Sequence, residues 1–249
     1  MAPNTTGDVG SILGVWGHPD DEAYLSAGLM RLAIEAGRRV TCVTATCGEA
    51  GFPDDDPRST EERKEIRKME MAASLAELGV TEHHWLGHGD GACADVPDDE
   101  AVAVLRSIIE DVQPDTLLTF GPDGATGHPD HIAVCRWSTL ACAALARDGG
   151  PTPRLLYATK SAEWNDEFFA HVDPADVMMI EGMRPEAVAT DEMAVWFTCE
   201  GELLERKARA LRAQASQIDG LVAAYGHDAF VHLVREEFFR SPRPSDRPW

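Results

Sequence analysis

The chain has 249 residues, of which 44% are hydrophobic and 26% are charged, and its formal net charge is −21. Its length and apolar content are sufficient for a real hydrophobic core and indicate a globular protein. The acidic balance argues against nucleic acid and anionic membrane surfaces as partners, because both require a cationic footprint.

No apolar run in the sequence approaches the roughly 18 to 20 residues that a membrane span requires. Residues 1–10 are polar and lack the basic flank and apolar centre of a signal peptide. The six cysteines show no CxxC spacing, which indicates reduced thiols. We therefore predict a cytoplasmic protein.

The first 46 residues predict a strand, a helix and a second strand. The apolar run Ile12–Trp16 is typical of a buried strand, and apolar residues at helical spacing follow until Gly37. Residues 39–46 form the second apolar run. Such a βαβ unit has parallel strands and a right-handed connection.

The same alternation continues to residue 158. A helix over 59–78 begins with a capping-box signature and stops at Gly79. The later predicted elements are a strand over 83–86, a helix over 98–112, a strand over 116–120, a helix over 132–147 and a strand over 154–158. This order predicts an α/β fold with a Rossmann-like, doubly wound, mostly parallel sheet and helices on both faces. No G-x-G-x-x-G follows the first strand, which argues against a dinucleotide site.

Beyond residue 160 the pattern weakens. We predict a short helix over 163–171, a segment over 187–197 that folds over the site, and one helix over 203–218. The sequence contains no repeat and no long linker, so we expect a single domain over 1–249, with loose tails at 1–10 and 242–249.

Two similar motifs follow two of the predicted strands. His-Pro-Asp-Asp-Glu occupies residues 18–22, and His-Pro-Asp-His occupies residues 128–131. Each motif lies at a strand-to-helix junction, where open α/β sheets bind their ligands. Three carboxylates and an imidazole within five residues are costly to crowd together unless a cation neutralises them.

Together the motifs offer two nitrogens and one carboxylate oxygen, from His18, Asp21 and His131. This is the ligand set of a catalytic zinc that keeps one position open for water. We predict one Zn²⁺ per chain, with Fe²⁺ as the alternative occupant in cells. Asp20 projects away from Asp21 and can accept the proton of the water. His128 can stabilise the oxyanion or protonate the leaving amine, with Asp130 orienting it.

With these motifs the sequence resembles the LmbE-like, PIG-L type family of zinc-dependent de-N-acetylases, which remove acetyl groups from N-acetylglucosaminyl conjugates. The resemblance covers most of the first 140 residues and, more weakly, a late helix. It implies the same ligands, His18, Asp21 and His131. It also implies Asp20 as general base and His128 as acid or electrostatic stabiliser.

The resemblance also implies three substrate-binding residues. Glu49 lies in the pattern Thr-x-Gly-Glu-x-Gly over 46–51, Arg67 matches the family helix, and Asp90 matches the sugar-binding Asp of a Gly-rich loop. One position departs from the family, because several members carry a Tyr where this chain has Thr126. A Thr hydroxyl reaches less far, so a carbonyl-polarising donor is lost, replaced elsewhere, or not needed by this substrate.

These observations predict a zinc hydrolase acting on a small N-acetylated amino sugar or glycoconjugate. A metal-dependent phosphoesterase, using Mg²⁺ or a metal pair, is the main alternative. An amidase for a different amide conjugate and a catalytically silent sugar-binding protein are the others. Two histidine ligands favour zinc, and the presence of Asp20 and His128 argues against a silent protein. The sequence is compatible with a homo-oligomer but does not require one.

Overall fold

The computed structural model describes residues 9–246, and its central feature is a seven-stranded sheet with strand order β3-β2-β1-β4-β5-β7-β6. The strands are β1 Ile12–Trp16, β2 Val40–Thr46, β3 Glu82–His88, β4 Thr116–Thr119, β5 Arg154–Ala158, β6 Met193–Thr198 and β7 Glu236–Arg240. Strands β1 to β5 are parallel, whereas β7 is antiparallel to both β5 and β6. The mostly parallel α/β sheet predicted from the sequence is confirmed.

Nine α-helices connect the strands of the described residues. They are α1 Asp21–Glu35, α2 Thr60–Leu78, α3 Asp98–Val112, α4 Gly124–Gly127, α5 Pro129–Asp148, α6 Ala162–Phe168, α7 Gly201–Arg212, α8 Ala215–Tyr225 and α9 His227–Val234. Helices α1, α2 and α7 pack on one another, and α3 packs on α5. None of the helices in the described part of the chain is long and apolar enough to cross a membrane.

The central strands form the core. Every residue of β1, β2 and β4 is buried, as expected for parallel strands covered on both faces. In the register of these strands, Ile12 of β1 pairs with Val40 of β2 on one side and with Thr116 of β4 on the other. Because of this register, β1 and β4 end side by side. The two loops that follow them therefore leave the sheet at neighbouring points.

The C-terminal third differs from the sequence-based prediction. The single helix predicted over 203–218 is wrong, because α7 ends at Arg212 and α8 begins at Ala215. Between them Gln214 is buried, and its Nε2 lies 3.4 Å from Glu22 Oε1. A buried polar side chain that reaches across to α1 thus accompanies the break, without any Gly or Pro to signal it.

The two predicted tails fall partly outside the described residues. Residues 1–8 and 247–249 lie outside them. Within the predicted C-terminal tail, Asp246 pairs with Arg240 at 2.7 Å, and Arg243 pairs with Glu186 at 2.6 Å. Residues 242–246 are therefore anchored to β7 and to the segment before β6, whereas a loose tail was expected there.

Candidate active site

Two loops meet at the carboxyl edge of β1 and β4, and they carry the two motifs. The first loop leads into α1, which begins at Asp21. The second leads into α5, which begins at Pro129, a residue suited to a first helical turn, where its missing N–H is not needed. His128 caps α5, its Nδ1 accepting the Asp130 backbone N–H at 3.1 Å. The two helix starts therefore face each other across the end of the sheet.

Three side-chain atoms form a triangle between these helix starts. His18 Nδ1 lies 3.0 Å from His131 Nε2, and Asp21 Oδ2 lies 3.5 Å from His131 Nε2 and 3.7 Å from His18 Nδ1. Tetrahedral zinc, with bonds of about 2.0 to 2.2 Å, holds neighbouring ligand atoms about 3.3 to 3.6 Å apart. The three predicted ligands therefore converge with spacings that suit one metal ion.

Hydrogen bonds orient both imidazoles of this triangle. His131 Nδ1 lies 3.0 Å from the Gly124 carbonyl oxygen, so it carries the proton and leaves the Nε2 lone pair free. His18 Nε2 lies 3.0 Å from Asp90 Oδ1 and 3.2 Å from Asp130 Oδ2, which leaves Nδ1 free in the same way. Such partners fix the tautomer of a metal-binding histidine and raise its basicity.

The absence of a side chain at Gly17 is required by this geometry. A Cβ on Gly17 would lie 2.8 Å from His131 Cδ2, a distance shorter than Cβ atoms show to their neighbours in real structures. The His131 ring also stacks on Phe120, with ring centroids 3.9 Å apart. The ring is thus confined between the first motif and the end of β4.

The electrostatic environment of the triangle favours a cation. Burial alone would lower the pKa of His18, but hydrogen bonds to Asp130 and Asp90 raise it to about 10. Burial raises the pKa of Asp21 to about 7, and burial together with the neighbouring His18 holds the pKa of His131 well below its ordinary value. The carboxylates that favour the positively charged form of His18 would equally stabilise a metal ion at Nδ1, where the metal replaces the second proton of the ring.

Asp20 adopts a backbone conformation that is rare outside glycine, with φ at 103°. Its backbone N–H donates to Glu22 Oε2 at 3.1 Å, and its Oδ2 lies 3.2 Å from Arg67 Nη2. Arg67 also donates to the Pro19 carbonyl and is buried. Burial raises the pKa of Asp20, and the charge of Arg67 opposes that rise. The structure therefore places Arg67, expected to contact substrate, against Asp20 and Pro19.

His128 lies beside the triangle, its ring centroid 4.5 Å from that of His18. Because its Nδ1 accepts the Asp130 backbone N–H, the neutral ring carries its proton on Nε2. Burial and the charge of His18 lower the pKa of His128 and so favour the neutral form. A neutral Nε2–H is a hydrogen-bond donor at the edge of the site.

The prediction that the Asp130 carboxylate orients His128 needs correction. Asp130 Oδ2 contacts His18 Nε2 at 3.2 Å and accepts the Gly91 N–H at 2.8 Å, while Oδ1 accepts the Cys93 N–H at 3.0 Å. These partners occupy both oxygens, so the Asp130 carboxylate orients His18. Its link to His128 runs through the backbone N–H alone among the hydrogen bonds described.

Glu49 and Asp90 form a polar border on the Nε2 side of His18. Asp90 contacts His18 with one oxygen and accepts the Ala50 N–H with the other at 2.8 Å. Glu49 Oε1 accepts the Asp90 N–H at 3.3 Å. The second Glu49 oxygen is buried and has no hydrogen-bond partner in the described part of the chain. A buried carboxylate oxygen of this kind is ready to accept a hydrogen bond from a ligand hydroxyl.

On another side of the triangle lies a cavity of about 290 Å³, whose wall includes Asp21 and His131. Thr126 also lines it, together with many apolar side chains from α6, α8, α9 and the segment between α6 and β6. This cavity was not predicted from the sequence. The sequence feature that could have indicated it is the aromatic pair Trp164 and Phe168, four residues apart. Their rings stack with centroids 4.6 Å apart.

Histidines outside the two motifs form no further metal-binding group in the described part of the chain. Besides the triangle of His18, Asp21 and His131, two overlapping groups among residues 9–246 lie close enough to hold a metal ion, His18 with His128 and His131, and His18 with Asp90, His128 and Asp130. Both belong to the site already described. All six cysteines are free and buried.

Comparisons with known proteins relate this architecture to a family and to solved structures. The family model described as PIG-L, GlcNAc-PI de-N-acetylase, matches residues 13–142. A 1D-myo-inositol 2-acetamido-2-deoxy-alpha-D-glucopyranoside deacetylase of Streptomyces avermitilis is 32% identical, over 94% of this chain and 95% of the relative. That of Acidothermus cellulolyticus is 34% identical, over 84% of this chain and 80% of the relative.

One solved structure with a similar fold is the N,N'-diacetylchitobiose deacetylase from Pyrococcus horikoshii. It aligns with a TM-score of 0.68 at 21% identity, covering 96% of this chain and 86% of that chain. At this level of identity the likeness concerns the fold, and a fold by itself does not fix a reaction.

Proposed function

The chain belongs to the PIG-L (GlcNAc-PI de-N-acetylase) family, and from this premise we propose that it removes the acetyl group from an N-acetylglucosaminyl-type sugar or glycoconjugate. The observation that carries the proposal is the triangle of His18, Asp21 and His131, with edges of 3.0, 3.5 and 3.7 Å. Asp20, a candidate base, adjoins it in the sequence.

In this proposal His18, Asp21 and His131 hold one Zn²⁺ per chain, with Fe²⁺ as the alternative in cells. Two imidazoles and one carboxylate suit zinc better than Mg²⁺, which prefers oxygen ligands in octahedral geometry. When bound, the metal lowers the pKa of a water molecule towards neutrality and polarises the amide carbonyl.

Asp20 acts as the general base and takes a proton from the attacking water. The Arg67 guanidinium, 3.2 Å from Asp20 Oδ2, holds the carboxylate in one orientation. Because burial raises the pKa of Asp20, its carboxylate is more basic than a solvated Asp. Asp20 then returns the proton to the amine nitrogen as the C–N bond breaks.

His128 stabilises the negative charge that develops on the amide oxygen. Its Nε2–H is available for this task because Nδ1 is engaged by the Asp130 backbone N–H. A lowered pKa keeps the ring neutral and so leaves Nδ1 able to accept that bond. A positioned donor of this kind typically contributes about 10²-fold to 10³-fold in rate.

Asp90 and Glu49 bind the hydroxyls of the sugar in this proposal. Support comes from the unpartnered Glu49 Oε2 and from the contact of Asp90 with His18, which couples the polar border to the reacting centre. Arg67 acts through Asp20 and not on the sugar.

We also infer a cytoplasmic, single-domain enzyme with a small-molecule substrate. The net charge of −21 supports the absence of nucleic-acid and membrane partners. The relatives from Streptomyces avermitilis and Acidothermus cellulolyticus are both named for a small amino-sugar substrate.

The proposal is tested by acetate release from a panel of N-acetylglucosaminyl compounds, with wild type and Asp20→Asn. We expect acetate from at least one compound, and a loss of about 10² to 10⁴-fold in kcat for the variant, as is typical when a general base is removed. Metal content of the variant should match that of wild type.

Asp54→Asn is the matched control, because Asp54 is an exposed acidic residue of the loop before α2. It should leave acetate release unchanged. Acetate release that survives Asp20→Asn would remove Asp20 from the role of base. Hydrolysis of phosphoesters without any acetate release would overturn the deacetylase assignment.

A further inference from the structure

The cavity beside the triangle is much larger than an acetyl group requires. Its volume is about 290 Å³, and Asp21 and His131 form part of its wall. An acetyl group ends in one methyl, similar in size to a water molecule, whose share of liquid volume is about 30 Å³. A dry apolar cavity of about 150 Å³ already holds benzene. The cavity therefore has room for a chain on the order of eight carbons.

The wall of this cavity is apolar over most of its extent. Its larger apolar side chains include Leu25, Phe120, Trp164, Phe168, Leu221 and Phe230. Apart from Asp21 and His131, the acidic and basic side chains in the described wall are Lys160 and Glu236. The Lys160 ammonium lies 4.0 Å from the centre of the Trp164 ring, and Glu236 accepts the Trp196 indole N–H at 3.2 Å. Both charged groups are thus engaged with aromatic side chains of the protein.

The polar border and the cavity lie on different sides of the reacting centre. Asp90 contacts His18 at Nε2, whereas the triangle is formed at Nδ1. Asp90 and Glu49 are absent from the cavity wall, and Asp21 and His131 belong to it. A scissile amide at the triangle can therefore direct its hydroxyl-bearing amine towards Asp90 and Glu49 and its acyl group into the cavity.

From this arrangement we propose that the preferred substrate carries a medium-length apolar N-acyl chain, of about eight carbons, which the cavity binds. This inference rests on the proposed amide hydrolysis at the same centre and extends it from the acetyl group, which remains a substrate, to longer acyl groups, which are preferred. Water adds its oxygen to the acyl carbon, the C–N bond breaks, and the nitrogen gains a proton. The products are a fatty acid carboxylate and a free amino sugar.

The test is a series of N-acylglucosamines with acetyl, butanoyl, hexanoyl, octanoyl and dodecanoyl groups, assayed by release of the free amine. Each buried methylene should raise kcat/KM about fourfold, so octanoyl should exceed acetyl by at least about 100-fold even if only part of the chain is buried. The rise should end once the chain exceeds the cavity. A second series keeps the acetyl group and compares methyl with octyl glycosides of N-acetylglucosamine, which should differ less than about threefold.

Val177→Trp narrows the cavity, because Val177 lines it from the segment after α6. This variant should lower the octanoyl-to-acetyl ratio of kcat/KM at least tenfold. Val104→Trp is the matched control, since Val104 is exposed on α3 and not part of the wall. It should leave the ratio unchanged.

Three results would overturn the inference. If kcat/KM falls with acyl length while acetyl is hydrolysed, the proposed function stands and the acyl cavity does not. If the octyl glycoside is strongly preferred and acyl length has no effect, the cavity binds an aglycone. If no amide of either series is cleaved by the metal-loaded enzyme, the proposed hydrolysis fails, and the inference fails with it.

Discussion

Asp20 and Asp21 are adjacent in the sequence, yet their surroundings give them different chemistry. Asp21 Oδ2 accepts the His18 N–H at 2.7 Å and faces both imidazoles of the triangle. Asp20, with its φ of 103°, turns its carboxylate towards Arg67. The strained backbone separates the two carboxylates, so that one can bind metal and the other can move a proton.

A substitution of Asp130 tests which histidine its carboxylate orients. Asp130→Asn removes the negative charge that faces His18 Nε2, and a lost partner of a ligating histidine typically costs about 10 to 100-fold in metal affinity. We expect that loss in a competition titration of zinc against a chelator. Asp148→Asn, at the exposed end of the same helix, is the control and should bind zinc like wild type.

The opposite result of this titration would assign the Asp130 carboxylate to His128. If Asp130→Asn binds zinc with unchanged affinity and only kcat falls, Asp130 acts on His128, as the sequence alone suggested. In that case the hydrogen bonds that join Asp130 to His18, Gly91 and Cys93 would be structural.

At the scale of single residues, short motifs allowed the metal-ligand candidates to be predicted from the sequence. Contacts between residues distant in the sequence could not be predicted. His18, Asp21 and His131 could be selected because each lies in a short motif at a strand end. The partner of Asp130 could not, because it depends on how residues 87–95 fold over α5. The backbone N–H groups of Gly91 and Cys93 that fix the carboxylate carry no side-chain signal.

At the scale of secondary-structure elements, a buried ion pair joins α1, α7 and β7. Lys207 Nζ lies 2.7 Å from Glu237 Oε1, and neither side chain is exposed. Lys207 also donates to the Tyr24 carbonyl, and Glu237 accepts the Gly28 N–H. In a regular helix, Gly28 N–H and Tyr24 C=O bond to each other, so the pair satisfies both backbone groups of α1.

Lys207→Met should therefore destabilise the protein by about 3 to 5 kcal/mol, because Glu237 would be left as a buried, uncompensated charge. The measurement is the free energy of unfolding from urea denaturation. Lys68→Met is the matched control, since the Lys68 pair with Glu65 lies on the surface and such pairs contribute about 0 to 1 kcal/mol. Equal stabilities for the two variants would show that the buried pair does not hold these elements together.

The same pair explains why the sequence did not predict β7. The segment Glu236–Arg240 contains three charged residues, a composition that does not indicate a buried strand. In the structure, Glu237 meets Lys207, and Arg240 meets Glu186 and Asp246. The strands β1, β2 and β4 were predictable because their residues, apart from Gly14, are apolar or β-branched, and β5 because four apolar residues follow its first one, Arg154. A strand whose charges are neutralised by distant partners has no such local pattern.

At the scale of the whole molecule, Lys160 links stability to pH. Burial lowers its pKa from 10.5 to about 7 in the folded protein, and the charge of Lys207 acts in the same direction. Between these two values the unfolded chain binds more protons than the folded one, so this residue makes stability rise with pH. Its unfavourable contribution is largest below pH 7 and vanishes above about pH 10.5.

Lys160→Met should remove this contribution. We expect the variant to be more stable than wild type at pH 6, with a difference that shrinks steadily at pH 8 and pH 9.5. Urea denaturation at the three pH values measures it. A difference that is constant, or that grows with pH, would mean that Lys160 stays fully charged in the folded protein.

In the mechanism we propose, amide hydrolysis requires one metal ion, held by His18, Asp21 and His131. The most direct measurement is release of free amine by chelator-treated protein as zinc is added, with the best N-acylglucosamine as substrate. We predict that activity rises linearly and levels off at one zinc per chain, and that Asp21→Ala shows no such rise. Full activity in metal-free protein, or a break at two metals per chain, would contradict the account.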